Sequence, residues 1–136
     1  MLRLDIFVIG ILSIIVVGSA YASNDITLSP PNTVDASGNQ KLDIHVGEVA
    51  DFSSTITNHS DGTKRFTYLL SVLNQNNEVE AREGLSADIG PDQQFIVAQS
   101  WTPKESGTYN VQTVLLNGYL ISSPLTDTIN TQIIVK

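Results

Sequence analysis

Tyr109, Val111, Thr113 and Leu115 occupy every second position of one run, and only an extended backbone gathers such residues on a single face. Successive side chains of a strand point to opposite sides, whereas a helix collects residues spaced by three and four. Leu42, Ile44 and Val46 alternate in the same way, as do Ala50, Phe52, Ser54 and Ile56, and then Phe95, Val97, Gln99 and Trp101. After Ala22 no stretch carries helical spacing, so this part of the chain is all-β. In "RFTYLLSVL" both parities are bulky, Phe66, Tyr68, Leu70 and Val72 on one side and Leu69 and Leu73 on the other, which predicts a central strand.

Asn, Asp, Gly, Ser and Pro fill the intervals between these runs, as turns require. A first strand is expected around Ile26 to Leu28, stopped by Pro30-Pro31, whose nitrogens cannot donate to a ladder. "NTVDASGNQ" reads as a loop or a short edge piece. Leu42 to Val46 should alternate inward until Gly47 breaks the run. Val79 to Arg82 reads as a short edge strand blunted by Glu78 and Glu83, and Leu85, Ala87 and Ile89 as another. Asn117-Gly118 fits either a two-residue hairpin turn or the start of a longer loop. Roughly seven or eight short strands, about 8 to 15 residues apart with no helix between them, predict an antiparallel β-sandwich of two sheets.

The stretch "PKESGTYNVQTV", residues 103–114, shows how the chain would cross between those sheets. Pro103 ends one strand, Gly107 supplies backbone freedom, and Tyr109 can bury its ring while its hydroxyl bonds back to the corner backbone. "ESGTYNV" resembles the D-x-G-x-Y-x-C signature of immunoglobulin domains, with Glu105 at the acid, Gly107 at the glycine, Tyr109 at the corner tyrosine and Val111 where the cysteine would stand. With "ITNHSD", "FTYLLSVLNQNNEV" and the run through Trp101, the pattern is similar to Ig-like, CARDB-like domains of archaeal and bacterial surface proteins. That resemblance implies an immunoglobulin-like sandwich with Trp101, Pro103, Gly107, Tyr109 and Val111 in structural roles. The chain departs from true immunoglobulin domains in having no cysteine pair and in carrying Trp101 in the strand before the corner.

The N-terminus has the parts of a secretory signal: Arg3, the apolar run "IFVIGILSIIVVG", and the small-residue site Ser19-Ala20-Tyr21-Ala22. Residues 1–22 are expected to form a hydrophobic signal helix, or an uncleaved membrane anchor, ahead of the sandwich domain at residues 23–136. Removing residues 1–22 leaves roughly 115 residues, sufficient for one domain. An exported domain without cysteine must be held by packing alone. Fourteen acids against seven bases give a net charge of −7 with no basic patch, so nucleic acid is not an expected partner.

The residues offer little for catalysis. Gly84-Leu85-Ser86-Ala87-Asp88 lacks the second glycine of a nucleophile elbow. His45 and His59 stand in no ligand-pair spacing, and a copper site would need Cys or Met ligands, whereas the chain has no Cys and its only Met is the initiator. Asp61, Asp88, Asp92 and Asp127 supply oxygen ligands without a D-x-D-x-D-G run, leaving a weak calcium site in the loops open. No catalytic, cofactor-binding or metal-ligating residue is assigned and no cofactor is expected. Asn58-His59-Ser60 matches the N-glycosylation acceptor in an expected surface turn.

The expected function is that of a non-catalytic, secreted or cell-surface module acting through protein or glycan contacts at the envelope. The alternative is a membrane-anchored accessory subunit of an envelope complex. The terminal run "NTQIIVK" has no charge between Asp127 and Lys136, and its Ile133, Ile134 and Val135 mark it as a candidate assembly strand, provided that it lies at a sheet edge.

Overall fold

Eight strands lie among residues 25–118 and 123–136, which a computed structural model describes; the expected signal helix lies outside them. In chain order they are β1 (Ile26–Leu28), β2 (Asn32–Val34), β3 (Ala50–Asn58), β4 (Lys64–Leu73), β5 (Val79–Ile89), β6 (Gln94–Trp101), β7 (Gly107–Asn117) and β8 (Ile129–Val135). Pro30-Pro31 interrupts the first edge, so β1 and β2 pair with β3 as two separate pieces, Leu28 opposite Ile56 and Asn32 opposite Ser53. β6 covers the other edge of β3, from Ala50 opposite Trp101 to Thr57 opposite Gln94. The second sheet runs β5-β4-β7-β8, and every neighbouring pair in it is antiparallel.

Burial follows the alternation read from the sequence. Along β3 the residues Ala50, Phe52, Ser54, Ile56 and Asn58 are buried and those between them are half-buried; along β7 Tyr109, Val111, Thr113 and Leu115 are buried. These inward faces meet Phe66, Tyr68, Leu70 and Val72 of β4, which pairs on both sides as its two-sided bulk predicts. Each fully buried large apolar side chain contributes about 1.5 to 3 kcal/mol, and with no cysteine in the chain this layer holds the fold.

Two polar groups lie within that layer. Ser54 Oγ and Tyr68 Oη share a hydrogen bond of 3.2 Å, and burial raises the Tyr68 hydroxyl above its ordinary pKa. Thr113, fully buried between Leu70 of β4 and Ile129 of β8, has no hydrogen-bond partner for its Oγ1 among the described residues. A buried hydroxyl without a partner carries its desolvation cost uncompensated, so Thr113→Val, which keeps the shape, should raise stability by about 1 kcal/mol. Urea melts of the two proteins check this, and a loss of stability on substitution would mean that the hydroxyl is bonded in solution.

Three expectations are corrected. Residues 79–89 form the single strand β5, because pairing with β4 runs without a shift through the expected break, Gly84 opposite Leu69 and Glu83 opposite Leu70; the one bulge lies nearer its start, where Val72 faces Ala81 but Leu73 faces Val79. Residues 42–46 form no strand: the segment leaves β2, where Lys41 N bonds Thr33 O, and crosses to the far sheet, where Lys136 N bonds Ile44 O and Val46 N bonds Lys136 O. Only Ile44 reaches the core on that crossing, while Leu42 is 82% exposed and Val46 43%. Asn58 is the third: it is fully buried at the end of β3. At Asn117-Gly118 the longer loop is found, since the chain returns at Ser123 and Leu125 to bond Asn117 and Leu115.

Candidate functional site

The corner is built as its residues require. Tyr109 is buried at the start of β7, and its Oη donates to the Glu105 carbonyl at 2.7 Å. Its ring meets Trp101 edge-on at 4.8 Å, and Trp101 stacks on Phe52 at 6.3 Å, so an aromatic series runs from one sheet to the other where the chain crosses. Burial first, then the charges of Glu80 and Glu105, raise the pKa of the Tyr109 hydroxyl. Pro103 is buried and its carbonyl accepts from Gly47 N at 2.9 Å. Gly107 stands opposite Val135 at φ 149°, where a side chain is disfavoured, and Val111 is fully buried in the cysteine position of the signature.

Asn58 sits inside the molecule, whereas the sequence placed it in a surface turn. The residue is fully buried; the two hydrogens of its Nδ2 are shared among the carbonyls of Gly62 at 2.9 Å, Ile89 at 2.9 Å and Gly90 at 3.0 Å. Its Oδ1 accepts from Ser60 N at 3.0 Å and Ser60 Oγ at 2.8 Å. A sugar on Nδ2 would displace those bonds from a site with no room for it, so this folded geometry has no place for a glycan at Asn58. The side chain instead ties the end of β3 in one sheet to the end of β5 in the other.

Ser86, Asp88 and His59 have structural partners. Ser86 lies in β5 with its Oγ 2.7 Å from Thr67 Oγ1, so it belongs to a strand and not to a nucleophile turn. Arg65 grips Asp88 through Nε at 2.7 Å and Nη2 at 2.8 Å, which lowers the carboxyl's pKa. His59 pairs with Thr27 Oγ1 at 2.9 Å, and His45 is exposed. Among the described residues no three His, Asp or Glu side chains come together as a metal site.

Two long uncharged edge strands among the described residues face outward, β6 and β8, and of these β8 adjoins a groove. Strand β8 ends its sheet, pairing with β7 on one side only, from Gly107 opposite Val135 to Thr113 opposite Ile129. Val135 is buried, Ile133 packs against the core, and Ile134 is 60% exposed. Lys136 directs its backbone N–H and C=O outward to residues 44–46, so the two-residue repeat of a strand directs those of Ile134, Gln132 and Asn130 the same way. The crossing segment covers the C-terminal end alone, helped by an ion pair of Lys136 with Asp43 at 3.8 Å. Beside the rest of β8 a groove of about 490 Å³ runs between residues 131–134, residues 31–33 of the opposite sheet and residues 40–44. The other edge of this sheet, β5, is blunted by its bulge and by Glu80, Arg82, Glu83 and Asp88.

A family model described as "SlaA-like: S-layer A-like" matches residues 13–135. The chain belongs to the S-layer A-like family. It is accordingly a surface-associated module, and its fold is that of a CARDB-like, immunoglobulin-type sandwich. The CARDB domain of the PF1109 protein from Pyrococcus furiosus, solved in complex with di-metal ions, superposes at a TM-score of 0.58 and 12% identity over 85% of this chain and 92% of its own. The C-terminal domain of Wzt superposes at 0.65 and 12% identity over 85% and 76%. A β-glucosidase from Erythrobacter marinus matches at 0.61 and 12% identity over 82% of this chain but 15% of its own. At such identities these likenesses concern the fold. No curated protein matches the S-layer A-like chain by sequence.

Proposed function

We propose that this S-layer A-like chain is an exported, non-catalytic module of residues 23–136 that works at the cell envelope by strand addition along β8, to a neighbouring copy or an envelope protein. The observation that carries this reading is the open edge of β8, with its outward backbone groups, exposed Ile134 and adjoining groove. Main-chain bonds along such an edge supply affinity, and alternate side chains entering the groove supply specificity. Residues 1–22 act as the cleaved signal in this reading. Retained as a membrane helix, they would make the chain an anchored accessory subunit, and the intact mass of the exported protein distinguishes a start at Ser23 from one at Met1.

β6 is also an edge strand without charge, and its Ile96 is 77% exposed, so it serves as the internal comparison. Ile134→Lys places a charge on the proposed contact while leaving the core untouched. Sedimentation should show association of the exported protein, dissociation of the Ile134→Lys variant by tenfold or more in apparent affinity, about 1.4 kcal/mol, and no change in Ile96→Lys. A monomer at every concentration, or dissociation by Ile96→Lys alone, removes self-assembly from β8.

A further inference from the structure

A second concavity, of about 570 Å³, opens where the turn after β4 meets β7 and β8. Asn74, Gln75, Asn77, Asn110, Asn130 and Gln132 line it, with Thr108 and Tyr109 completing the wall. No Lys, Arg, His, Asp or Glu is in that lining, although acids and bases make up 15% of the chain. We propose that this amide-lined concavity binds a neutral saccharide; it shares Gln132 with the groove beside β8, while the rest of its wall lies on the turn after β4, on β7 and at Asn130.

The lining excludes the other ligand classes in turn. An anion would find no basic side chain, and a cation no carboxylate. An apolar ligand would meet amide side chains at six of the eight lining residues, whereas sites for such ligands are lined mostly by apolar residues. A carboxamide holds an acceptor beside two donors, and a sugar's adjacent hydroxyls present the same pair of roles, so each amide can meet a diol with both partners satisfied. The volume lies within the range of small-ligand sites, roughly 300 to 1,000 Å³.

Much of the wall is fixed before a ligand arrives. Asn74 Oδ1 accepts from Asn76 N at 2.9 Å and Glu78 N at 3.0 Å, and its Nδ2 donates to Glu78 Oε1 and Glu80 Oε2, both at 3.0 Å. These bonds hold the turn, in which Asn77 takes φ 62°, and occupy the two nearest carboxylates of β5. On the strands Asn130 Oδ1 accepts from Asn110 Nδ2 and Gln112 Nε2, both at 3.0 Å, which turns the Asn130 Nδ2 donors away from that cluster. The side-chain amides of Gln75, Asn77 and Gln132 make no hydrogen bond of their own among the described residues, so they are the groups open to a ligand. A wall ordered in advance lowers the entropy lost on binding.

The test is a titration of the ¹⁵N-labelled full-length chain in detergent micelles, followed through its side-chain amide signals. The probes are maltotriose, mannotriose and chitotriose, with trigalacturonic acid as the acidic counterpart. At least one neutral trisaccharide should shift Gln75, Asn77 and Gln132 saturably at millimolar concentration while Gln93 and Gln94, at a distant turn, stay still. Gln75→Ala combined with Gln132→Ala, both at exposed positions, should weaken that binding by about tenfold or more with an unchanged melting curve. Silence from all three neutral sugars, equal binding of the acidic one, or full affinity in the double variant overturns the proposal.

Discussion

Asn58→Ala should cost about 3 kcal/mol or more, the largest loss expected from any single polar substitution in the domain. The side chain makes five hydrogen-bonding contacts without exposure to water, and its removal leaves the Ile89 and Gly90 carbonyls and the Ser60 amide to find other partners. Each orphaned buried group costs about 1 to 3 kcal/mol, and the turn at residues 59–63 loses its tie to β5 as well. Asn58→Asp refines the test, because it keeps the size but faces carbonyl oxygens with a carboxylate. That environment raises the carboxyl's pKa above its unfolded value. Its relative stability is therefore fullest below the unfolded value of about 3.9 and falls as pH rises through the folded one. Urea melts should show Asn58→Asp at least as weak as Asn58→Ala at pH 7, with the deficit from wild type shrinking as the pH is lowered. A loss under about 1 kcal/mol for Asn58→Ala would mean that water replaces the amide and that the residue is no tie between the sheets.

Tyr109→Phe should cost about 1 to 3 kcal/mol. The substitution keeps the ring against Trp101 and removes only the hydroxyl that donates to the Glu105 carbonyl at 2.7 Å. Glu105 is itself exposed, so water can reach its carbonyl in part and the lower half of the range is expected. The same hydroxyl gives an alkaline signature. Tyr109 and Tyr68 both hold their protons above the ordinary value of 10.0, chiefly through burial, so the unfolded chain ionises first. Their share of stability is intact below pH 10 and is lost as the pH rises through the folded values. Wild type should therefore lose stability above pH 10 more steeply than Tyr109→Phe, which retains the Tyr68 contribution alone. Parallel pH curves, with a difference under about 0.5 kcal/mol at neutrality, would place the hydroxyl in water.

The sequence by itself determined the class of fold, the strands whose alternation runs unbroken, and the corner. Period two admits one extended backbone and one buried face, so β3, β6 and β7 could be read with their inward residues, and the bulk on both sides of β4 marked it as central. At the corner, the spacing of Pro103, Gly107 and Tyr109 places a hydroxyl within reach of the turn backbone, which is a local relation. What only the tertiary structure decided depends on partners distant in sequence. Residues 42–46 alternate like a strand but span two sheet edges, because pairing is settled by where Thr33 and Lys136 lie, and the run itself carries no information on either. Asn58 ends β3 as an ordinary turn residue in sequence, yet the carbonyls that bury it come from residues 62, 89 and 90. The amide-lined concavity draws on the turn at residues 74–77, on β7 and on β8. Its residues are uncharged and scattered along the chain, so no motif announces them until antiparallel pairing sets Asn110 opposite Gln132.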